Sequence, residues 1–264
     1  MIAASLPHRL DRIVNIQASP DTVFGFFTDV GRWARWWGAG STIDPRPGGR
    51  VLIRYPDGTE VVGEVVELTA PERLVFTYGF ASGAPIPPGS SRVAIRLEKH
   101  GPGTRLHLSH EFDDAGVRDE HVQGWRYQLA LFSNVVSDEV NAGAEGLIDR
   151  WFDAWAEPDS NRRAELIAAV AESDVRFRDR YGLTEGAADL IPHIAAAQRF
   201  MPGIRLKRRG EVRHCQGTVL ADWVAVNAEG QERGSGTNVF VLAANGRITS
   251  VTGFWAPPKP ASRT

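Results

Sequence analysis

Residues 121–144 read HVQGWRYQLALFSNVVSDEVNAGA, and their patterning decides how the chain is organised. Val122, Trp125, Leu129, Phe132 and Val136 recur at spacings of three, four, three and four. That is the repeat of one apolar face on an α-helix, and it predicts a helix of about five turns. The stripe stops at Asn141-Ala142-Gly143-Ala144, which is small and weakly polar, and a different pattern starts beyond it. A completed helix followed by such a break predicts a domain boundary near Ala142.

Ahead of the helix, residues 9–17 read as a strand. Ser19-Pro20-Asp21 then supplies an N-cap and a proline at the first helical position. Val23, Phe24, Phe27 and Val30 have helical spacing, Gly31 interrupts, and Trp33, Trp36 and Trp37 place a second short helix on the same core. β-rich runs follow at 51–55, 60–68, 74–80, 92–98 and 104–112. They are punctuated by Pro47-Gly48-Gly49, Asp57-Gly58, Pro71-Glu72 and Gly101-Pro102-Gly103. This predicts an antiparallel meander of five or six strands. Residues 82–90, with three prolines and two glycines, form a long hairpin loop and a candidate cavity lip.

Beyond the boundary, Leu147, Ile148, Trp151, Phe152 and Trp155 predict a helix, and Ser160 caps a second carrying Leu166, Ile167 and Val170. A short strand is expected at 174–179. Thr184-Glu185-Gly186 opens a third helix with Leu190, Ile191 and Ile194, kinked at Pro192 and ended by Pro202-Gly203. Strands at 205–214, 218–226, 234–242 and 247–255 follow, the last two joined by an Asn245-Gly246 turn. The expected division is thus 1–142, 143–256 and a flexible tail at 257–264, in an α+β chain of two domains.

Composition agrees. At about 150 residues per domain, 264 residues suit two domains, and 42% hydrophobic with 23% charged residues is ordinary for a globular chain. Thirty basic against 32 acidic residues exclude a strongly basic nucleic-acid or membrane-surface binder. The one cysteine, Cys215, excludes an intramolecular disulfide and a zinc site built from several thiolates. Apolar runs fall short of the roughly 18 residues that span a bilayer. Met1 to Leu10 shows no secretory pattern, so a cytoplasmic location is expected. The eight tryptophans split four and four about Ala142, one aromatic core for each half.

Ala18-Ser19-Pro20 with Val23-Phe24, Trp36-Trp37, Pro47-Gly48-Gly49, Gly63-Glu64-Val65, Pro71-Glu72-Arg73-Leu74, Gly103-Thr104, His110 and His121 with Gly124-Trp125 stand in order over residues 9–140. In these motifs the first half resembles the activator of heat-shock-protein-90 ATPase homologues, a branch of the START-like (SRPBCC) superfamily. The resemblance implies a helix-grip fold, an antiparallel sheet with a hydrophobic cavity under its last helix. The function it implies is broad, since relatives bind lipids, polyketides or chaperones, or catalyse reactions.

The second half resembles SnoaL-like proteins and steroid delta-isomerases of the nuclear-transport-factor-two-like superfamily. The residues that carry this are Asp174-Val175-Arg176-Phe177-Arg178-Asp179 with Gly182, Gly186, and Asn238 through Gly246-Arg247-Ile248 to Trp255. It implies a conical α+β fold, three helices packed into a bent sheet around a pocket. It also implies roles: Asp179 as the general base, Asn238 where isomerases carry an aspartic acid of the oxyanion hole, Trp151 where they carry a tyrosine, and Trp255 on the apolar wall. Asn238 and Trp151 depart from the isomerase donors, which disfavours steroid isomerisation itself.

Each candidate also has a plainer reading. Asp179 would begin a turn before Tyr181-Gly182, and Asn238 would be a structural amide. Asp222 and Trp223 are adjacent on a strand, so one of them faces the cone. His193 would be a satisfied surface histidine at the cone mouth. In the first half His110 lines the cavity or is a core histidine, Tyr55 and Tyr78 are polar handles or packing, and Trp125 is core or cavity wall. His107 and His110 point to opposite faces and cannot pair on a metal. Arg205, Lys207, Arg209 and Arg213 share a solvated strand face. No metal-spaced cluster, phosphate loop or Ser-His-Asp order is present, so neither metal nor cofactor is expected.

These residues point first to two cavities that bind small hydrophobic molecules. The alternatives are a cofactor-independent cyclase or isomerase using Asp179 on an enolisable carbonyl, and a chaperone-linked interaction protein. The expected partner is a small hydrophobic molecule, with no nucleic acid and no membrane, in a homodimer.

Overall fold

β1 (His8–Ile16) opens a computed structural model that describes residues 6–256, so the expected tail at 257–264 lies outside the described residues. Two units divide the chain, Met1–Glu139 and Val140–Thr264. Both combine helices with a largely antiparallel sheet, an α+β architecture.

In the first unit β1 is followed by α1 (Pro20–Thr28), α2 (Val30–Trp37), β2 (Thr42–Ile43), β3 (Arg50–Arg54), β4 (Glu60–Thr69), β5 (Arg73–Phe80), β6 (Ser91–His100), β7 (Gly103–Phe112) and α3 (Ala115–Val140). The sheet order is β1-β7-β6-β5-β4-β3-β2, antiparallel throughout, seven strands where five or six were expected. The extra strand, β2, is two residues long and too short to show alternation. Ser19 caps α1 as predicted, accepting from the Thr22 N–H at 3.2 Å. Gly31 does not divide the helices. Asp29 does, because its carboxylate caps α2 by accepting from Arg32 N–H at 2.8 Å, and Gly31 lies within the helix.

α3 runs for 26 residues and begins well before its apolar stripe. Asp114 accepts from the Val117 N–H at 2.9 Å, so a cap starts the helix where no hydrophobic periodicity marks it. Loop 82–90 is no cavity lip: it folds back on β5, where Phe80 N–H donates to the Ile86 carbonyl at 2.8 Å and Ile86 is buried. Phe26, Phe27, Trp33, Trp36, Phe76 and Phe132 make one aromatic cluster between α1, α2, α3 and the sheet.

The second unit runs α4 (Ala144–Ala156), α5 (Ser160–Val170), β8 (Ala171–Arg178), β9 (Leu183–Glu185), α6 (Ala187–Phe200), β10 (Arg205–Cys215), β11 (Thr218–Val226), β12 (Glu232–Leu242) and β13 (Ile248–Trp255). Its sheet order is β10-β11-β12-β13-β8-β9, with β13 and β8 parallel and the other pairs antiparallel. Asp159, one residue before Ser160, caps α5 by accepting from the Arg162 N–H at 2.8 Å. Residues 183–185 pair with β8 instead of opening a helix, and α6 starts after Gly186, whose φ of 87° suits glycine. Pro192 lies inside α6. The inner sheet face presents Val219, Ala221, Trp223, Phe240, Val251 and Phe177 to Ile148, Trp151 and Phe152 of α4. Among the described residues no helix is long and apolar enough to cross a membrane.

Candidate functional site

In the first unit a cavity of about 290 Å³ lies between α3, α2 and the sheet. α3 contributes His121, Gly124, Trp125, Gln128 and Leu131, which repeat at helical spacing and so share a face. Trp37 stands across from them, its ring 5.7 Å from Trp125 and 6.1 Å from Tyr55, both edge-to-face. The Trp36 and Trp37 side chains also pack on each other, with centroids 4.2 Å apart.

Tyr55 and Tyr78 stand on the wall, and their hydroxyls lie 3.3 Å apart. Burial raises the pKa of both, that of Tyr78 strongly, so both remain protonated phenols. Gln128, which the sequence reading did not single out, donates its amide to the Trp36 carbonyl. Its signal was a polar residue three beyond Trp125 on the face that turns toward the cavity. His121 Nδ1 is 2.8 Å from the Val117 carbonyl and therefore carries the proton.

His110 does not line this cavity. It is fully buried behind Tyr78 and Trp125, in a chain of hydrogen bonds that sets its tautomer. The Trp125 indole can only donate, so His110 Nδ1 accepts from it at 3.0 Å. His110 Nε2–H then donates to Ser91 Oγ at 2.8 Å, and Ser91 donates to the Tyr78 carbonyl at 2.8 Å. A histidine whose Nδ1 is engaged and whose Nε2 holds a proton cannot activate Ser91, so this contact is no nucleophilic dyad. Its work is to hold Trp125 and the backbone of Tyr78 in the wall.

The second unit brings Asp179 and Asn238 together across Gly253. A Cβ on Gly253 would stand 3.1 Å from Asn238 Oδ1 and 3.2 Å from Asp179 Cβ, a tight contact with both. Asp179 does two things at once. Its Oδ1 accepts from the Tyr181 and Gly182 N–H groups at 2.8 and 2.9 Å, the turn expected of an aspartate there. Its Oδ2 accepts from the Trp255 indole at 3.1 Å, beside an open recess of about 400 Å³ that also touches Gly253 and Trp255. Asn238 Oδ1 accepts from the Trp223 indole at 2.9 Å, which turns its NH₂ end away from Trp223. The Trp223 and Trp255 rings meet edge-to-face at 4.9 Å.

The other candidates of this unit lie elsewhere. Trp151 is fully buried against Trp155, Phe177 and Phe240 and does not line the recess. His193 packs between Trp155 and Phe177 and over Gly182, not at an open mouth. Asp222 is on the outer face, where Thr237 Oγ1 donates to it at 2.5 Å and Arg213 lies 3.5 Å away, because Trp223 takes the inward position.

The family described as "Activator of Hsp90 ATPase homolog 1-like protein" matches residues 17–137. No curated protein matches the chain. A SnoaL-like family protein from Agrobacterium tumefaciens is 27% identical, over 42% of this chain and 96% of that one, with a TM-score of 0.41. CalU16 from Micromonospora echinospora is 25% identical over 50% and 77%, also at 0.41. An Aha1 dimer from Colwellia psychrerythraea is 15% identical over 46% and 90%, again at 0.41.

Proposed function

We propose, for a chain whose residues 17–137 match the activator of Hsp90 ATPase homolog 1-like family, that the first unit binds a small, largely apolar molecule in the cavity beneath α3. The wall itself carries this: Trp36, Trp37, Trp125, Tyr55, Tyr78 and Leu131 surround a space of about 290 Å³ with few polar groups among them. Ligand sites are typically concave, aromatic-lined and near this size or larger.

Gly124 offers the test. It lines the cavity, and a Cβ there would meet no atom within 4 Å. Gly124→Leu should fill the space and remove a glycine from a helix interior, a gain of about 0.8 kcal/mol. In thermal-shift and native mass-spectrometry screens of lipophilic molecules, wild type should be stabilised by about 2.7 kcal/mol at a hundredfold excess over Kd. Gly124→Leu should melt no lower than wild type and lose the ligand shift. Equal shifts in both proteins, or none in wild type, would overturn the assignment.

A second reading attaches to the recess beside Gly253, favoured by the approach of Asp179 and Asn238 to that one residue. A carboxylate on the wall of such a recess, beside the Trp255 indole N–H, suits proton removal next to a carbonyl, the chemistry of a cofactor-independent cyclase or isomerase. Asp179→Asn should lower turnover of enolisable ketones by about 10²-fold or more. Equal rates, or no turnover by wild type, would remove this reading.

A further inference from the structure

Tyr55 and Tyr78 bring two protons and share a single hydrogen bond, 3.3 Å long. Whichever hydroxyl donates, the other keeps a proton that no described residue accepts. Of the other donors along this wall, Trp125 Nε1 is engaged on His110, His121 Nδ1 on Val117 and the Gln128 amide on Trp36, while Trp37 Nε1 has no partner but is itself buried from solvent. The Arg35 guanidinium at the rim is paired with Glu139. Both phenols stay protonated, so the pair is a standing donor against an aromatic wall. An unmet donor in such a place costs free energy that a ligand acceptor recovers.

We infer that the ligand presents an acceptor oxygen, a ketone or quinone carbonyl on a flat apolar skeleton, to the Tyr55–Tyr78 hydroxyl pair. This rests on the binding assigned above to the same cavity. An ammonium group would find no carboxylate among the lining residues and Arg35 beside it. A carboxylate would lose its hydration against tryptophan rings, while the nearby guanidinium is already held by Glu139. A carbonyl has lone pairs to receive the free proton and brings none of its own. The edge-to-face arrangement of Trp37 with Trp125 and Tyr55, at 74° and 86°, suits contact with the face and edge of a planar ring.

The test compares 2-acetylnaphthalene with 2-ethylnaphthalene, probes of nearly equal shape that differ in the carbonyl. Calorimetric titration of wild type should favour the ketone by about tenfold, as one hydrogen bond allows. Proton counting makes a sharper demand on variants. Tyr55→Phe and Tyr78→Phe should each keep the preference, because the remaining hydroxyl still has a proton to give. The double variant Tyr55→Phe/Tyr78→Phe should bring the affinity ratio to about one. Infrared spectra of ketone bound to wild type should show its C=O stretch lowered from that in hydrocarbon solvent, a readout that needs no variant to fold. Binding of neither probe to wild type overturns the binding function and this inference with it. Equal binding of both leaves the binding function standing and overturns the carbonyl. A preference that survives in the double variant, or an unshifted C=O band, also overturns it.

Discussion

His110 shows how much one buried side chain carries in this protein. Its ring nitrogens join Trp125 on α3 to Ser91 on β6, and through Ser91 to the backbone of Tyr78 on β5. Burial, reinforced by the nearby His121, holds its pKa well below the ordinary 6.5. The unfolded chain therefore binds a proton that the folded chain refuses, and stability rises with pH across that interval. Stability of the first unit should be level above pH 6.5 and fall below it, by at most about 1.4 kcal/mol per pH unit. Urea unfolding followed by tryptophan fluorescence should show this slope in wild type and lose it in His110→Gln. Glu98, held down to about 2 by hydrogen bonds from His107 and Arg96, titrates in a lower range and does not blur the comparison. An identical slope in the variant would refute the assignment. The inward direction of His110 follows from strand alternation, readable in the sequence. Its bond to Trp125, fifteen residues away, does not, because it depends on where α3 docks.

At the scale of elements, the three helices of the second unit are tied together by Arg163, which no pattern in the sequence singled out. Arg163 is almost wholly buried without a carboxylate partner. Its guanidinium donates to the carbonyls of Glu157, Pro158 and Ile191 and to Gln198 Oε1. Gln198 in turn donates to the Trp155 and Glu157 carbonyls, so α5 and α6 together cap the C-terminal end of α4. A charge at the negative end of a helix, with acceptors all round it, is stable there. Arg163→Met should cost about 3 kcal/mol or more in denaturant unfolding, because several buried carbonyls lose their donor together. Arg163→Lys should recover little, since an ammonium cannot reproduce the planar fork. A loss within about 0.5 kcal/mol, typical of a surface change, would show the clamp to be dispensable. On a helical wheel Arg163 falls on the inward face with Ile167 and Val170, but which carbonyls its guanidinium meets depends on how α4 and α6 pack against α5.

For the whole molecule, the relevant fact is two cores. Trp33, Trp36, Trp37 and Trp125 are buried in the first unit, Trp151 and Trp223 in the second, where Trp155 and Trp255 pack against the core. A domain with its own core folds by itself. Residues 1–142 and 143–264 produced separately should each show native-like circular dichroism and a cooperative thermal transition. If either piece is unfolded alone, the units are not independent.

The sequence by itself determined the kinds of elements, their order, the inward face of most strands and the presence of two aromatic cores. These follow from periodicities of 3.6 and 2 and from caps and turns, all of which act between residues a few positions apart. It left open the exact helix starts at Asp29 and Asp159, because serine, glycine and aspartate compete as caps over one or two positions. Tertiary structure alone decided which polar groups meet. Tyr55 and Tyr78 face each other, Asp179 and Asn238 flank Gly253, and Asp222 turns away with the outer face. Those meetings depend on strand register and helix docking, which are settled by side chains packing across long separations in the chain.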